Sequence, residues 1–173
     1  MAPLGGYLAP RAATAEPRLA ACMSDCGPYD LLDATTARIP AILAPGYEGG
    51  NTIARRLLGS ALHTVMKNVS AGWALRRNLW VHGVDDPLDF LAVAGEYSLK
   101  GREHLISCPT FVCATEGDDL SANAATFADR LVCPHEYVRF TAAEGVTGHC
   151  EMSGRSVFHQ RAYDWLDGVL DTS

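Results

Sequence analysis

Two short apolar runs, Phe111-Val112-Cys113-Ala114 and Tyr137-Val138-Arg139-Phe140, are separated by a single amphipathic stretch over 121–131. Strand, helix, strand in that order predicts a βαβ unit, with parallel strands and a right-handed crossover. Side chains that do chemistry in such sheets gather at the carboxyl ends of the strands. The first run breaks into Thr115-Glu116-Gly117-Asp118-Asp119 and the second into Glu144-Gly145-Val146-Thr147-Gly148-His149-Cys150. An acid and a histidine therefore reach one edge of the sheet. An acid that orients an imidazole, and an imidazole that deprotonates a nucleophile, make a hydrolytic triad. Acid before histidine is the second half of the order nucleophile, acid, histidine. Glu116, Asp118 and Asp119 compete for the acid, and each could instead cap the following helix. His149 could be a loop histidine bonded to backbone.

The 173 residues suit one domain with a real core. A net charge of −6 argues against nucleic acid or an anionic membrane as partner. No apolar run approaches the roughly 18–20 residues of a membrane span. Six cysteines are few for a disulfide scaffold. Cys108 and Cys113 fall in or beside a buried strand, where a thiol behaves as a small apolar group. Cys22 and Cys26 lack a second ligand pair at zinc-like spacing, which argues against a metal site. No cofactor motif is present. Free thiols and the absence of a leader pattern point to a reducing, cytoplasmic setting.

The alanine-rich stretch Leu8–Glu16 predicts a helix closed by Pro17, followed by a strand over Leu19–Met23. Ser24 then sits in a cluster of turn formers, a solvated serine rather than a nucleophile. Residues 31–102 read as helical, with Asn51 capping a helix over Thr52–Val69 and Asp86-Pro87 starting another. That is far longer than a crossover needs, and it predicts a lid over a site. Trp73, Trp80 and Tyr97 are candidates to line a substrate pocket, with core packing as the alternative. The last helix, Ser156–Leu170, is expected to bury Tyr163, Trp165, Leu166 and Leu170. The strands Leu19–Met23, Phe111–Ala114 and Tyr137–Phe140 should lie in that spatial order. The outer edge of the first would be a template for another chain, which predicts self-association.

Several motifs together resemble the α/β-hydrolase family. They are Gly5-Gly6-Tyr7-Leu8-Ala9-Pro10-Arg11-Ala12, Tyr97-Ser98-Leu99-Lys100-Gly101-Arg102, Cys108-Pro109-Thr110, Glu116-Gly117-Asp118, the loop Glu144–Cys150, and Tyr163-Asp164-Trp165-Leu166. The branch resembled includes 2,6-dihydroxypseudooxynicotine hydrolases, fungal hydrolases that shorten polyketides by C–C cleavage, and fermentation–respiration switch esterase-like proteins. The resemblance implies the C-terminal part of an α/β-hydrolase fold, a short parallel sheet flanked by helices with a helical cap insertion. It divides the chain into a partial core, 1–30 with 106–173, and a cap, 31–105. It makes Asp118 the triad acid, His149 the base, and the Leu4 amide half of an oxyanion hole.

Leu4-Gly5-Gly6-Tyr7 resembles the end of a nucleophile elbow, Gly-x-Ser-x-Gly-Gly, where small residues let helix and strand approach. In that register Pro3 stands where the serine would be. The expectation is a C-terminal half, possessing acid and histidine but no nucleophile, and inactive alone. The reaction implied is hydrolysis of a C–C, ester or amide bond next to a carbonyl, in a small, partly apolar substrate. The contrasting expectation is a non-catalytic module that binds a small ligand or a protein, or a truncated remnant.

Overall fold

The structure, a computed structural model, describes residues 4–37, 39–49 and 51–171. It divides into two compact units, one formed by 31–97 and the other by the segments on either side of it.

The second unit is built on a three-stranded parallel sheet in the order β1 (Cys22–Asp25), β2 (Thr110–Thr115), β3 (His135–Phe140). Cys22 stands opposite Thr110, and Thr110 opposite His135. All of β2 is buried, as a central parallel strand covered on both faces should be. Phe111 and Cys113 point into a core with Cys26, Phe140, Val146, Phe158 and Ala162. The helix α6 (Ala124–Arg130) crosses from β2 to β3 and packs against both. Strand order and direction are those expected from the apolar runs.

The first strand starts three residues later than expected. Its ladder begins where the Cys22 amide meets the Pro109 carbonyl at 2.9 Å, so the register is set by β2. Ser24 consequently lies inside β1. It is buried, and its hydroxyl donates to the Gly6 carbonyl at 2.7 Å, so it is not a solvated turn serine. The first helix, α1, runs Gly5–Ala13 with Pro10 inside it. It begins earlier than alanine content suggests because Gly6 lets it approach the end of β1. A Cβ on Gly6 would lie 2.4 Å from the Asp25 carbonyl, and one on Gly27 would lie 2.1 Å from Gly6 backbone.

The last helix, α7 (Arg155–Leu170), corrects another expectation. It buries Phe158 and Ala162 and packs Val157 and Trp165 on the core. Tyr163 and Leu170 are about half exposed. Positions 158, 162 and 165 follow the i, i+4, i+7 row that faces the sheet.

The unit 31–97 is helical: α2 (Leu31–Thr36), α3 (Thr52–Val65), α4 (Val69–His82) and α5 (Pro87–Ala94). Asn51 caps α3 by accepting the Ile53 and Ala54 amides, and Asp86 caps α5 through the Leu88 amide. The single helix expected over 52–69 is two, because Asn68 caps α4 by accepting the Ala71 amide. Among the described residues no helix is long and apolar enough to cross a membrane.

The Gly6–Gly27 contact gives a direct test. Gly27→Ala drives a methyl into Gly6 backbone, which has no side chain to move aside. We expect a loss of at least about 1–3 kcal/mol, the usual range for overpacking. Gly5→Ala, with open space at its Cβ, should cost little by comparison. Urea denaturation of the two variants beside the parent reads the difference.

Candidate functional site

The edge of the sheet beyond the carboxyl ends of β2 and β3 carries the candidate site. Asp118 follows β2 by three residues and caps the turn Asp119–Ser121, its Oδ1 accepting the Leu120 amide at 3.3 Å. Its Oδ2 accepts from the Ser121 hydroxyl at 2.9 Å and from His149 Nδ1 at 2.8 Å. An ionised carboxylate only accepts, so Nδ1 carries the proton and Nε2 the lone pair. The Asp118 side chain is only 6% exposed and that of His149 21%. Burial by itself would raise the Asp118 pKa. The bonds from His149, Ser121 and the Leu120 amide outweigh it and hold the carboxyl below its ordinary range.

The rival acids are placed elsewhere. Glu116 accepts the Ala142 amide at 3.0 Å and faces Arg139 at 3.8 Å. Asp119 starts the turn that Asp118 caps.

His149 is held by the residues after it. Gly148, Cys150 and Glu151 all have positive φ, at 78°, 53° and 49°. For the two non-glycine residues that conformation is strained. Glu151 is fully buried. Its Oε1 accepts from the Thr115 hydroxyl at 3.0 Å and the Cys26 thiol at 2.9 Å, and Oε2 meets Arg155 Nη1 at 3.2 Å. The same Arg155 nitrogen reaches the Cys150 carbonyl and Asp25 Oδ2, both at 3.0 Å. Burial, then the bond to Cys26, raises the Glu151 pKa, which favours the neutral carboxyl. The partner of Nε2 is the adjacent Cys150 Sγ, at 3.0 Å. Burial first, and then the Asp25 charge, pushes that thiol up to about 12.

Of the residues singled out in the sequence, Asp118 and His149 are brought together. Leu4 is in the same unit and heads α1, its carbonyl accepting the Tyr7 and Leu8 amides at 3.0 and 2.7 Å. Pro3 lies outside the described residues. Trp73 and Trp80 are on α4 and Tyr97 follows α5, all in the 31–97 unit. Trp73 is 51% and Trp80 79% exposed, so neither packs a core, while Tyr97 stacks edge-on against His82. Sequence reading missed Ser121, Glu151 and Arg155. Ser121 and Asp118 are a serine three residues past an acid, a local signal that a turn reading could have used. The bonds of Glu151 to Cys26 and Thr115 span 125 and 36 residues and leave no local trace.

Asp118 links folding to pH with a definite sign. Its depressed pKa contributes stability that is fully present above the unfolded value and is lost as pH falls through the folded one. Asp118→Asn should cost about 1.5–3 kcal/mol near neutrality, as for a bond to a charged group. The gap to the parent should narrow once the pH drops below about 4. Urea midpoints across pH check both.

Comparison with known proteins places the chain in a family. No family model matches the chain. It is 31% identical to a hydrolase of Aspergillus aculeatus over 96% of its own length, and 31% identical to the 20-hydroxy-prefusarin hydrolase of Gibberella moniliformis over 98%. An alpha/beta hydrolase of Aspergillus fumigatus is 32% identical over 96%. The chain spans 40–42% of the length of these curated relatives. Its fold matches the crystal structure of proline iminopeptidase from Mycobacterium smegmatis with a TM-score of 0.59, at 15% identity, over 97% of this chain and 64% of that one. Motifs, relatives and fold agree that the chain belongs to the α/β-hydrolase family.

Proposed function

We propose that this chain supplies the acid and base of a serine-hydrolase site that cleaves a C–C, ester or amide bond next to a carbonyl. The 2.8 Å bond between Asp118 Oδ2 and His149 Nδ1 carries the reading. It fixes the tautomer that leaves Nε2 basic, and the carboxylate stabilises the imidazolium that forms on proton transfer. The Leu4 amide, heading α1, would donate to the oxyanion. In this reading 31–105 is the cap and 1–30 with 106–173 the partial core. Trp73, Trp80 and Tyr97 would contact a small, partly apolar, carbonyl-containing substrate. The fungal relatives are hydrolases by name, which supports the reaction class.

In this reading the residues 1–173 do not by themselves complete that triad. The motif's serine position is Pro3, which has no hydroxyl. Ser24 is buried and committed to the Gly6 carbonyl. Cys150 reaches Nε2, yet a thiol with a pKa near 12 is almost all protonated at neutral pH, and the thiolate is the nucleophile. The same observations favour, as the second reading, a module that binds a ligand without turning it over.

The purified chain should show no saturable turnover of a p-nitrophenyl ester. Joined behind a segment that supplies the Gly-x-Ser of the elbow motif it should gain turnover. His149→Ala should then abolish that gain, and Asp118→Asn should cut it by about 10⁴. Turnover by the chain alone that His149→Ala removes would overturn the missing nucleophile. A gain insensitive to both substitutions would overturn the roles of Asp118 and His149.

We also propose self-association through the outer edge of β1, since among the described residues that strand pairs only with β2. The opposite edge, β3, presents His135, Glu136 and Arg139, charges that discourage strand addition. Sedimentation should show mass rising with concentration. A single monomer at tens of micromolar would count against it.

A further inference from the structure

Beneath the histidine loop lies a cluster that the proposed chemistry does not use. It comprises Asp25 and Cys26 at the end of β1, Cys113 in β2, and Glu151. One ligand atom from each lies within 4.8 Å of all the others. Cys26, Cys113 and Glu151 are fully buried. Glu151 Oε1 is 2.9 Å from Cys26 Sγ and 3.8 Å from Cys113 Sγ, and Asp25 Oδ1 is 3.8 Å from Cys113 Sγ.

We propose that these four residues form a closed site for a borderline-soft divalent cation of the zinc class. With Zn–S near 2.3 Å and Zn–O about 2.0–2.2 Å, the edges of a tetrahedron come to about 3.3–3.8 Å. Cys113 Sγ stands 3.8 Å from both carboxylate oxygens, at the upper end of that range, while the 2.9 Å between Cys26 Sγ and Glu151 Oε1 would open on binding. Each carboxylate turns one oxygen to the sulfurs and gives the other to Arg155, at 3.0 Å for Asp25 Oδ2 and 3.2 Å for Glu151 Oε2. That division is how outer-shell partners orient ligating carboxylates. The Thr115 hydroxyl, 3.4 Å from Cys26 Sγ and 3.0 Å from Glu151 Oε1, and the Ser24 carbonyl, 3.6 Å from Cys113 Sγ, are further polar neighbours.

Two thiols and two carboxyls select zinc over calcium or magnesium, which take oxygen alone. On binding, both thiols and any protonated carboxyl release their protons. Two thiolates and two carboxylates then carry −4, offset by +1 on Arg155 and +2 on the ion. Four protein donors leave no open position, so the ion is structural. It ties the ends of β1 and β2 to the loop that holds His149. The sequence argument against a metal considered Cys22 with Cys26 and could not see this set, whose members come from three separate segments.

Metal-free, reduced protein titrated with Co²⁺ should develop the thiolate-to-cobalt charge-transfer band and the visible bands of a tetrahedral ion. One equivalent of Zn²⁺ should bleach them. Zn²⁺ should also raise the melting temperature. Cys26→Ser and Cys113→Ser should each weaken Co²⁺ binding by more than the roughly 10–100-fold of an outer-shell change. Cys108→Ser should leave it unaltered. Should the serine variants not fold, X-ray absorption on the zinc-loaded parent decides, with two sulfur and two oxygen neighbours expected. No charge-transfer band in the parent, a band that survives Cys26→Ser, or a shell without sulfur would overturn the site. None of these readouts depends on ester turnover.

Discussion

A carboxyl group sealed in a protein interior is costly unless every oxygen finds a partner. Glu151 is such a group, and the edge of the sheet that carries His149 is arranged around satisfying it. Its partners are Cys26 just past β1, Thr115 at the end of β2, and Arg155 at the start of α7. Three segments distant in sequence are thereby drawn to one point. The left-handed backbone at Cys150 and Glu151, a strain of order 1–3 kcal/mol per residue, is held by those bonds. His149 stands immediately before that knot, so its ring is oriented by the anchoring of its neighbours as well as by Asp118.

The sheet does the corresponding work for the acid. β2 is buried from end to end, so the point at which it stops is well determined. Asp118 leaves the strand three residues later and is held by the turn it caps, with Ser121 on the oxygen that also serves His149. The pair is therefore anchored at both ends, Asp118 by the turn it caps and His149 by the bonded residues that follow it. The Gly6–Gly27 contact does for α1 what β2 does for Asp118. With no side chain on either residue, the head of the helix can settle against the end of β1.

The helical unit follows a looser logic. Its caps at Asn51, Asn68 and Asp86 are local, and each terminates or starts a helix through one side-chain oxygen. Ile53 and Leu57 of α3 and Trp73 and Trp80 of α4 nevertheless remain largely exposed. Helical spacing of apolar residues shows which side of a helix is apolar, but not whether anything covers it.

The sequence by itself determined the βαβ unit, the strand order, the caps of α3 and α5, and the loops that carry Asp118 and His149. These depend on periodicity, on turn formers and on the rule that functional groups gather at the carboxyl ends of parallel strands. Only the tertiary structure decided the rest. It put Asp118, which the family resemblance already favoured over Glu116 and Asp119, 2.8 Å from His149 Nδ1, a contact that depends on where the ring lies. It moved β1 onto Cys22–Asp25, because strand limits are set by the ladder to β2 rather than by local hydrophobicity. It turned Phe158 and Ala162, not Tyr163 and Leu170, toward the core. And it gathered Asp25, Cys26, Cys113 and Glu151, since donors brought together by a fold need share no spacing along the chain.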